Sequence, residues 1–140
     1  MYMTNLMLII LATLAQFILG ALWYSPLLFG KTWMSIMEVS HYTKEELQKM
    51  QKSMMPFYGL QFFLTLITTW VLASNILFLG LSGSAAYFYA GFMWLGFIAP
   101  IQISSVVWSS TKRKYWIKQI SIMLGMQLVG IMLATFILTF

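Results

Sequence analysis

Uncharged amides and hydroxyls recur at helical spacing along this 140-residue chain, inside stretches that hold little else but apolar side chains. Thr13, Gln16, Gly20 and Trp23 follow one another at three and four residues, which stacks them on one helical face. Gln61, Thr65, Thr68 and Asn75 share a second face, and Trp94, Gln102, Ser105 and Ser109 a third. Gln127 stands on a fourth with Gly130 and Ala134. Groups of this kind hydrogen-bond one another or a neutral solute; they neither relay protons nor hold metals. The titratable candidates lie elsewhere, because Glu38, Glu45, Glu46 and the lone His41 all fall in one connecting segment. Zero cysteines exclude disulfides, thiolate metal sites and thiol redox chemistry, and haem would want histidine ligands within the apolar stretches. No nucleophile, base and metal set can be assembled there, so a protein without enzymatic activity or cofactor is expected.

The elements that must position these groups are set by composition. Hydrophobic residues make up 61% of the chain and charged residues 8%, against roughly 25% charged in soluble domains. Four stretches lack any ionisable group other than phenols: Leu6 to Gly30, Pro56 to Ser84, Ala85 to Thr111 and Gln119 to Phe140. Each exceeds the ~20 residues that a helix needs to cross a bilayer core of ~30 Å. The middle two adjoin at Leu79-Gly80-Leu81-Ser82-Gly83-Ser84, where the clustered Gly and Ser mark the break. A closed barrel would need strands of alternating character, and no such alternation occurs. The expectation is an all-α polytopic membrane protein, one membrane domain over 1–140 with spans at about 6–29, 57–79, 86–109 and 117–139. Met1 to Asn5 carries no Lys or Arg, and the run behind it is too long for a signal-peptide core, so the first segment is read as a retained span.

All eight basic residues fall in two connections, Lys31 to Lys52 and Lys112 to Lys118, while the one around Gly80 has no charge. The positive-inside rule puts the basic connections in the cytoplasm of an inner-membrane protein and both termini outside. The surplus of +5 is then accounted for by topology and anionic lipid, at ~1 kcal/mol per basic residue near the surface, and nucleic acid need not be invoked. Within the first connection, Thr43 and Glu46 form a capping box, Glu45 and Lys49 an i,i+4 pair, and Leu47, Met50 and Met54 an apolar stripe. A short amphipathic helix at about 44–55 is expected to lie on the membrane surface, as a linker or as a docking element. Gly20-x-x-Trp23-x-x-Pro26 is echoed by Gly91-x-x-Trp94 and Pro100, and Gly59-Leu-Gln61 by Gly125-Met-Gln127; a duplicated hairpin is one source of such echoes.

Lipid cannot satisfy an amide, so the polar faces should turn inward. They admit two readings: hydrogen bonds across helices at roughly 0.6 to 2 kcal/mol each, or the lining of a small cavity. The candidates for such a cavity are Gln16, Trp23, Tyr24, Ser25, Pro26, Gln61, Trp94, Gln102 and Gln127. With the N-terminus outside, Trp23 to Ser25, Gln61 and Gln102 share the cytoplasmic half, so the cavity would open inward. A helix proline frees the carbonyl four residues earlier, here Leu22 and Gly96. Ion-coupled transport would ordinarily need ionisable groups in the spans, and there are none. The two function classes are therefore binding or passage of a small neutral solute, and an accessory subunit of a membrane complex, with a homo-oligomer or membrane partner expected in either case.

The stretch "GALWYSPLLFGKTW", residues 20–33, with Leu95-Gly96-Phe97-Ile98-Ala99-Pro100, Trp108 and Tyr115-Trp116, resembles the small four-helix bacterial membrane proteins of domain-of-unknown-function family number 1761. The likeness covers essentially the whole chain. It implies the fold and a membrane location, and carries over no activity and no binding residue.

Overall fold

A computed structural model describes residues 2–140, with side-chain surroundings from Leu6 onward. The described residues are all-helical, without strands. Helix α1 (Tyr2–Trp23) leads through a turn to α2 (Gly30–Ile36); α3 (Lys44–Phe78) follows, then α4 (Gly83–Met93), a π-helical turn (Trp94–Ile98), α5 (Ala99–Val107), a 3-10 turn (Arg113–Tyr115) and α6 (Trp116–Thr139). Four helical units, with α4, the π turn and α5 forming the third, are long and apolar enough to cross a membrane. The protein is a multi-pass membrane protein.

Helices α1 and α6 form the centre, with α3 against α1 and the third span against α6. Small residues allow the close approach: Ala12, Thr13, Ala134 and Thr135 are all fully buried. Ala86 and Ala90 do the same for α4. Leu72 and Ile76 bring α3 into this core, under Tyr89, Ile131 and Leu138. The second and third spans share at most marginal contact, so the four spans do not close into a ring.

Two expectations about element boundaries are corrected. The first span ends at Trp23, not near 29, because Pro26 cannot continue the ladder and the chain folds into a compact corner instead. Within it Pro26 is the second residue of a turn closed by Leu28 N donating to Ser25 O at 3.1 Å. The Leu22 carbonyl is therefore not freed: it accepts from Ser25 N at 3.2 Å and from Ser25 Oγ at 2.7 Å. Gly30 N donates to Ser25 O at 2.9 Å. A Cβ on Gly30 would lie 2.5 Å from the Ser25 carbonyl carbon and 2.6 Å from the Tyr24 oxygen. No side chain fits there.

The second correction concerns the surface helix expected at 44–55. That segment is helical and carries the expected capping box, with Thr43 N donating to Glu46 Oε2 at 2.7 Å and Glu46 N to Thr43 Oγ1 at 3.3 Å. It does not stop at Pro56, however, and runs unbroken into the second span as the 35-residue α3. A proline there leaves the Lys52 carbonyl without its helical donor, and Lys52 and its neighbours are exposed, where water or headgroups can satisfy it. At 1.5 Å per residue α3 is about 52 Å long, about 20 Å more than a bilayer core. Its first turns must therefore project beyond it. At the opposite end Gly80, φ +63°, closes α3 with Leu81 N donating to Ile76 O at 2.9 Å and Gly80 N to Leu77 O at 3.2 Å, a Schellman ending where the Gly-Ser cluster was expected to break the chain.

The two basic connections lie at the same end, joined by Lys112 Nζ donating to Glu38 Oε1 at 2.6 Å. Among the described residues it is the one ion pair; the expected Glu45–Lys49 contact is not made. Glu38 holds a left-handed backbone, φ +59°, a conformation that glycine favours. The hydrogen bond from Lys112 and its charge hold the Glu38 carboxyl below the usual carboxylate range, and the same bond raises the Lys112 ammonium. A carboxyl depressed in the folded state stabilises above its ordinary range and loses that contribution as pH falls through its own lower value. Hydrogen exchange of residues 37–43 and 109–115, corrected for intrinsic rates, should thus accelerate on acidification below the carboxylate range, and Glu38→Gln should exchange fast at neutral pH too. Protection unchanged by both acid and the substitution would show that the contact holds nothing in place.

Candidate membrane-embedded cleft

Where spans two and three diverge they leave a cleft of about 250 Å3. Its floor is α1 and α6, which contribute Gln16, Gln127 and Ile131. One wall is α3, through Thr68, Thr69 and Leu72, and the other is the π turn and α5, through Phe97, Ile98, Ile101 and Gln102. Each of the four spans thus supplies a hydroxyl or an amide. All the polar groups are uncharged.

The third span reaches the cleft by way of its π turn. Pro100 cannot donate to the Gly96 carbonyl, and the helix widens just ahead of it, with Ala99 N donating to Trp94 O across five residues. The widened turn sets Phe97 and Ile98 at the cleft's edge. Gly96 itself has open space around its Cα, with nothing within 4 Å of a Cβ, so the proline rather than the glycine accounts for the turn.

Of the nine candidates, the structure brings three together: Gln16, Gln102 and Gln127. Gln16 is tied into the packing, its Nε2 donating to Thr69 Oγ1 at 2.7 Å and to Ala12 O at 3.2 Å. Thr69 in turn donates to Thr65 O at 2.8 Å. The side-chain amides of Gln102 and Gln127 make no hydrogen bond to any described residue. The other six lie outside the cleft. Trp23 is a strut to α6, its Nε1 donating to Ile122 O at 3.0 Å and its ring lying 3.0 Å from where a Cβ on Gly125 would sit. Tyr24 packs edge-on against Trp33 at 4.9 Å, and Ser25 and Pro26 build the corner. Gln61 is exposed on α3, donating to Thr65 Oγ1 at 3.3 Å in its own helix. Trp94 opens the π turn without lining the cleft, its indole Nε1 buried and without an acceptor among the described residues.

Thr69, absent from the candidates, is the cross-helix partner of Gln16. The signal for it was the period of α3: Thr69, Leu72 and Ile76, its buried residues, recur at three and four, which centres the packing face on them and leaves Thr68 at its edge, while Gln61 lies about two turns nearer the exposed start of the helix. Gln119, also unflagged, is buried on α6 with its side-chain oxygen unpartnered. The positions that echo one another in sequence sit in unlike surroundings, Pro26 in a turn and Pro100 in a helix, Gln61 exposed and Gln127 in the cleft. A wider depression of about 580 Å3 on α4, lined by Phe88, Tyr89 and Phe92 among others, is open and apolar, a surface suited to lipid.

With this geometry in hand, comparison with known families matches residues 7–139 to the one described as "Protein of unknown function (DUF1761)". The chain belongs to this family. No curated protein and no solved structure matches it. The match runs from residue 7 in α1 through the corner motif and the π turn to the end of α6, so the corner and the cleft both lie within the family's domain.

The two kinds of glutamine separate by their effect on stability. Gln16→Leu removes a made bond and leaves the Thr69 oxygen short of its partner, a loss of about 0.6 kcal/mol or more in the membrane. Gln102→Leu and Gln127→Leu remove amides with no partner in the chain, and are expected to leave thermal stability in detergent unchanged or raised. Thermal unfolding of the three variants checks this; equal losses in all three would make every glutamine packing.

Proposed function

We propose that this is a non-enzymatic membrane protein whose mid-span cleft binds a small uncharged molecule, in a chain set with its basic connections in the cytoplasm and both termini outside. The observation that carries the reading is the pair of unpartnered amides, Gln102 and Gln127, held at a depth where lipid offers no hydrogen bond. At about 250 Å3 the cleft falls below the ~300 Å3 at which sites for drug-sized ligands begin, which suits a small molecule. No charged or titratable side chain lines it, so the complementary ligand is neutral. Passage across the membrane is the further step this reading allows.

A second reading, the accessory subunit, is favoured by α3. From Gln48 to Gln61 every residue is exposed, with Met54, Met55 and Phe57 among them, and a helix uncovered on all sides gains little stability from propensity alone. A membrane partner or a second copy would cover it.

Native mass spectrometry of the protein released from its membrane addresses both. A bound neutral species, absent from the Gln102→Leu/Gln127→Leu double variant, is the expected result, and a bare chain in both proteins would overturn it. A protein partner lost with Met54→Asp, and no small molecule, would establish the accessory role instead. For orientation, impermeant thiol labelling of intact cells should reach Ser82→Cys and not Thr111→Cys, since the chain has no other cysteine. The opposite pattern inverts the topology.

A further inference from the structure

Building on the cleft reading, we propose that its ligand is a neutral amphiphile that enters sideways from the bilayer, polar end first, rather than a solute arriving from water. The direction of opening follows from the packing. The floor is the tight α1 and α6 pair, the walls are α3 and the π turn with α5, and these walls do not pack along each other. The mouth therefore lies between them, toward lipid. The residues at that mouth are the exposed ones: Phe97 at 63% and Ile101 at 68% on one side and Thr68 on the other. Two apolar side chains beside a lipid-facing opening suit a hydrocarbon chain, while Gln102 and Gln127 further in suit a hydroxyl, ester or amide.

Depth decides the head group. Gln127 lies near the middle of the 24-residue α6, roughly 15 Å from either surface of a 30 Å core. A charged phospholipid head carried there would meet no counter-charge in the cleft, and a charge at the bilayer centre is costly. Only a molecule whose polar end is uncharged can bring it that far at small cost. The class is a single-chain or isoprenoid lipid with a hydroxyl, ester, amide or carbonyl head.

The test uses the full chain in phosphatidylcholine vesicles with a monoacylglycerol that carries a photoreactive diazirine next to its glycerol. Adducts mapped by mass spectrometry should concentrate at residues 68–72 and 97–102. They should fall roughly five- to tenfold in the Gln102→Leu/Gln127→Leu variant, the equivalent of two hydrogen bonds within the membrane. Unlabelled monoolein should compete and oleate should not, an arm that needs no variant. Adducts spread evenly over lipid-facing Phe88, Phe92 and Ile117, or oleate competing as well as monoolein, would overturn the proposal. So would quantitative disulfide dimers of Thr68→Cys and Ile101→Cys, since a second copy would then cover the mouth. A neutral, water-soluble molecule held by the native protein without concentrated adducts would leave the cleft reading standing and remove the lipid; a bare chain together with even adducts would remove both.

Discussion

The close pairing of α1 with α6 is the contact on which the remaining structure rests. Within a bilayer, helices gain nothing from leaving water, so association depends on van der Waals packing and hydrogen bonds between surfaces that can come near. Ala12 and Thr13 on one helix, and Ala134 and Thr135 on the other, are fully buried, and no larger side chain stands between the backbones at these positions. Thr13 and Thr135 keep their hydroxyls on their own helices, donating to Ile9 O and Ile131 O, so their burial leaves no donor unmet. Trp23 adds a bond from the end of α1 to the Ile122 carbonyl. The second and third spans then attach to this pair from different sides, and the cleft is the space that the attachment leaves.

The Trp-Tyr-Ser-Pro stretch serves that pairing. Trp23 fixes the end of α1 against α6, Ser25 satisfies the terminal Leu22 carbonyl, and Phe29 folds back so that its ring lies 4.9 Å from Trp23. Gly30 lets the chain cross beneath its own Ser25 carbonyl. A helix that merely frayed into the interface would leave several carbonyls to find water; the corner satisfies those of Leu22, Trp23 and Ser25 internally and starts α2 at a defined place. The motif thus positions the first span, and it does not line the cleft.

The cleft combines two departures from regular packing. One is the π turn ahead of Pro100, which widens the third span where it faces α3. The other is the placement of Gln102 and Gln127 without partners, beside Gln16, which has one. A polar residue that merely joins helices is expected to be spent on another helix, as Gln16 is on Thr69. Gln102, just beyond the widened turn, and Gln127, near the middle of α6, are the unspent amides on which the proposed binding reading rests, and their lack of charge is what points it to a neutral ligand.

The sequence alone determined the membrane location, the number of spans, the common face of the basic connections and the capping box of α3. These follow from hydropathy, length, charge and local hydrogen bonding, each of which acts over a turn or a span. It also placed four glutamines among the candidate lining residues, of which Gln16, Gln102 and Gln127 meet in the cleft, whereas the lining Thr68 and Thr69 were not among the candidates. Which glutamines would meet was a tertiary matter: Gln16, Gln61, Gln102 and Gln127 look alike in sequence, and Gln61 is left outside because α3 runs exposed from Gln48 as far as Gln61 and is buried only further along, at Thr69, Leu72 and Ile76. The same holds for the two prolines, which differ because Pro26 stands in a chain free to turn into its corner, whereas Pro100 lies between helical turns held against α6. Helical periodicity fixes which residues share a face, and packing against a neighbour fixes where that face points.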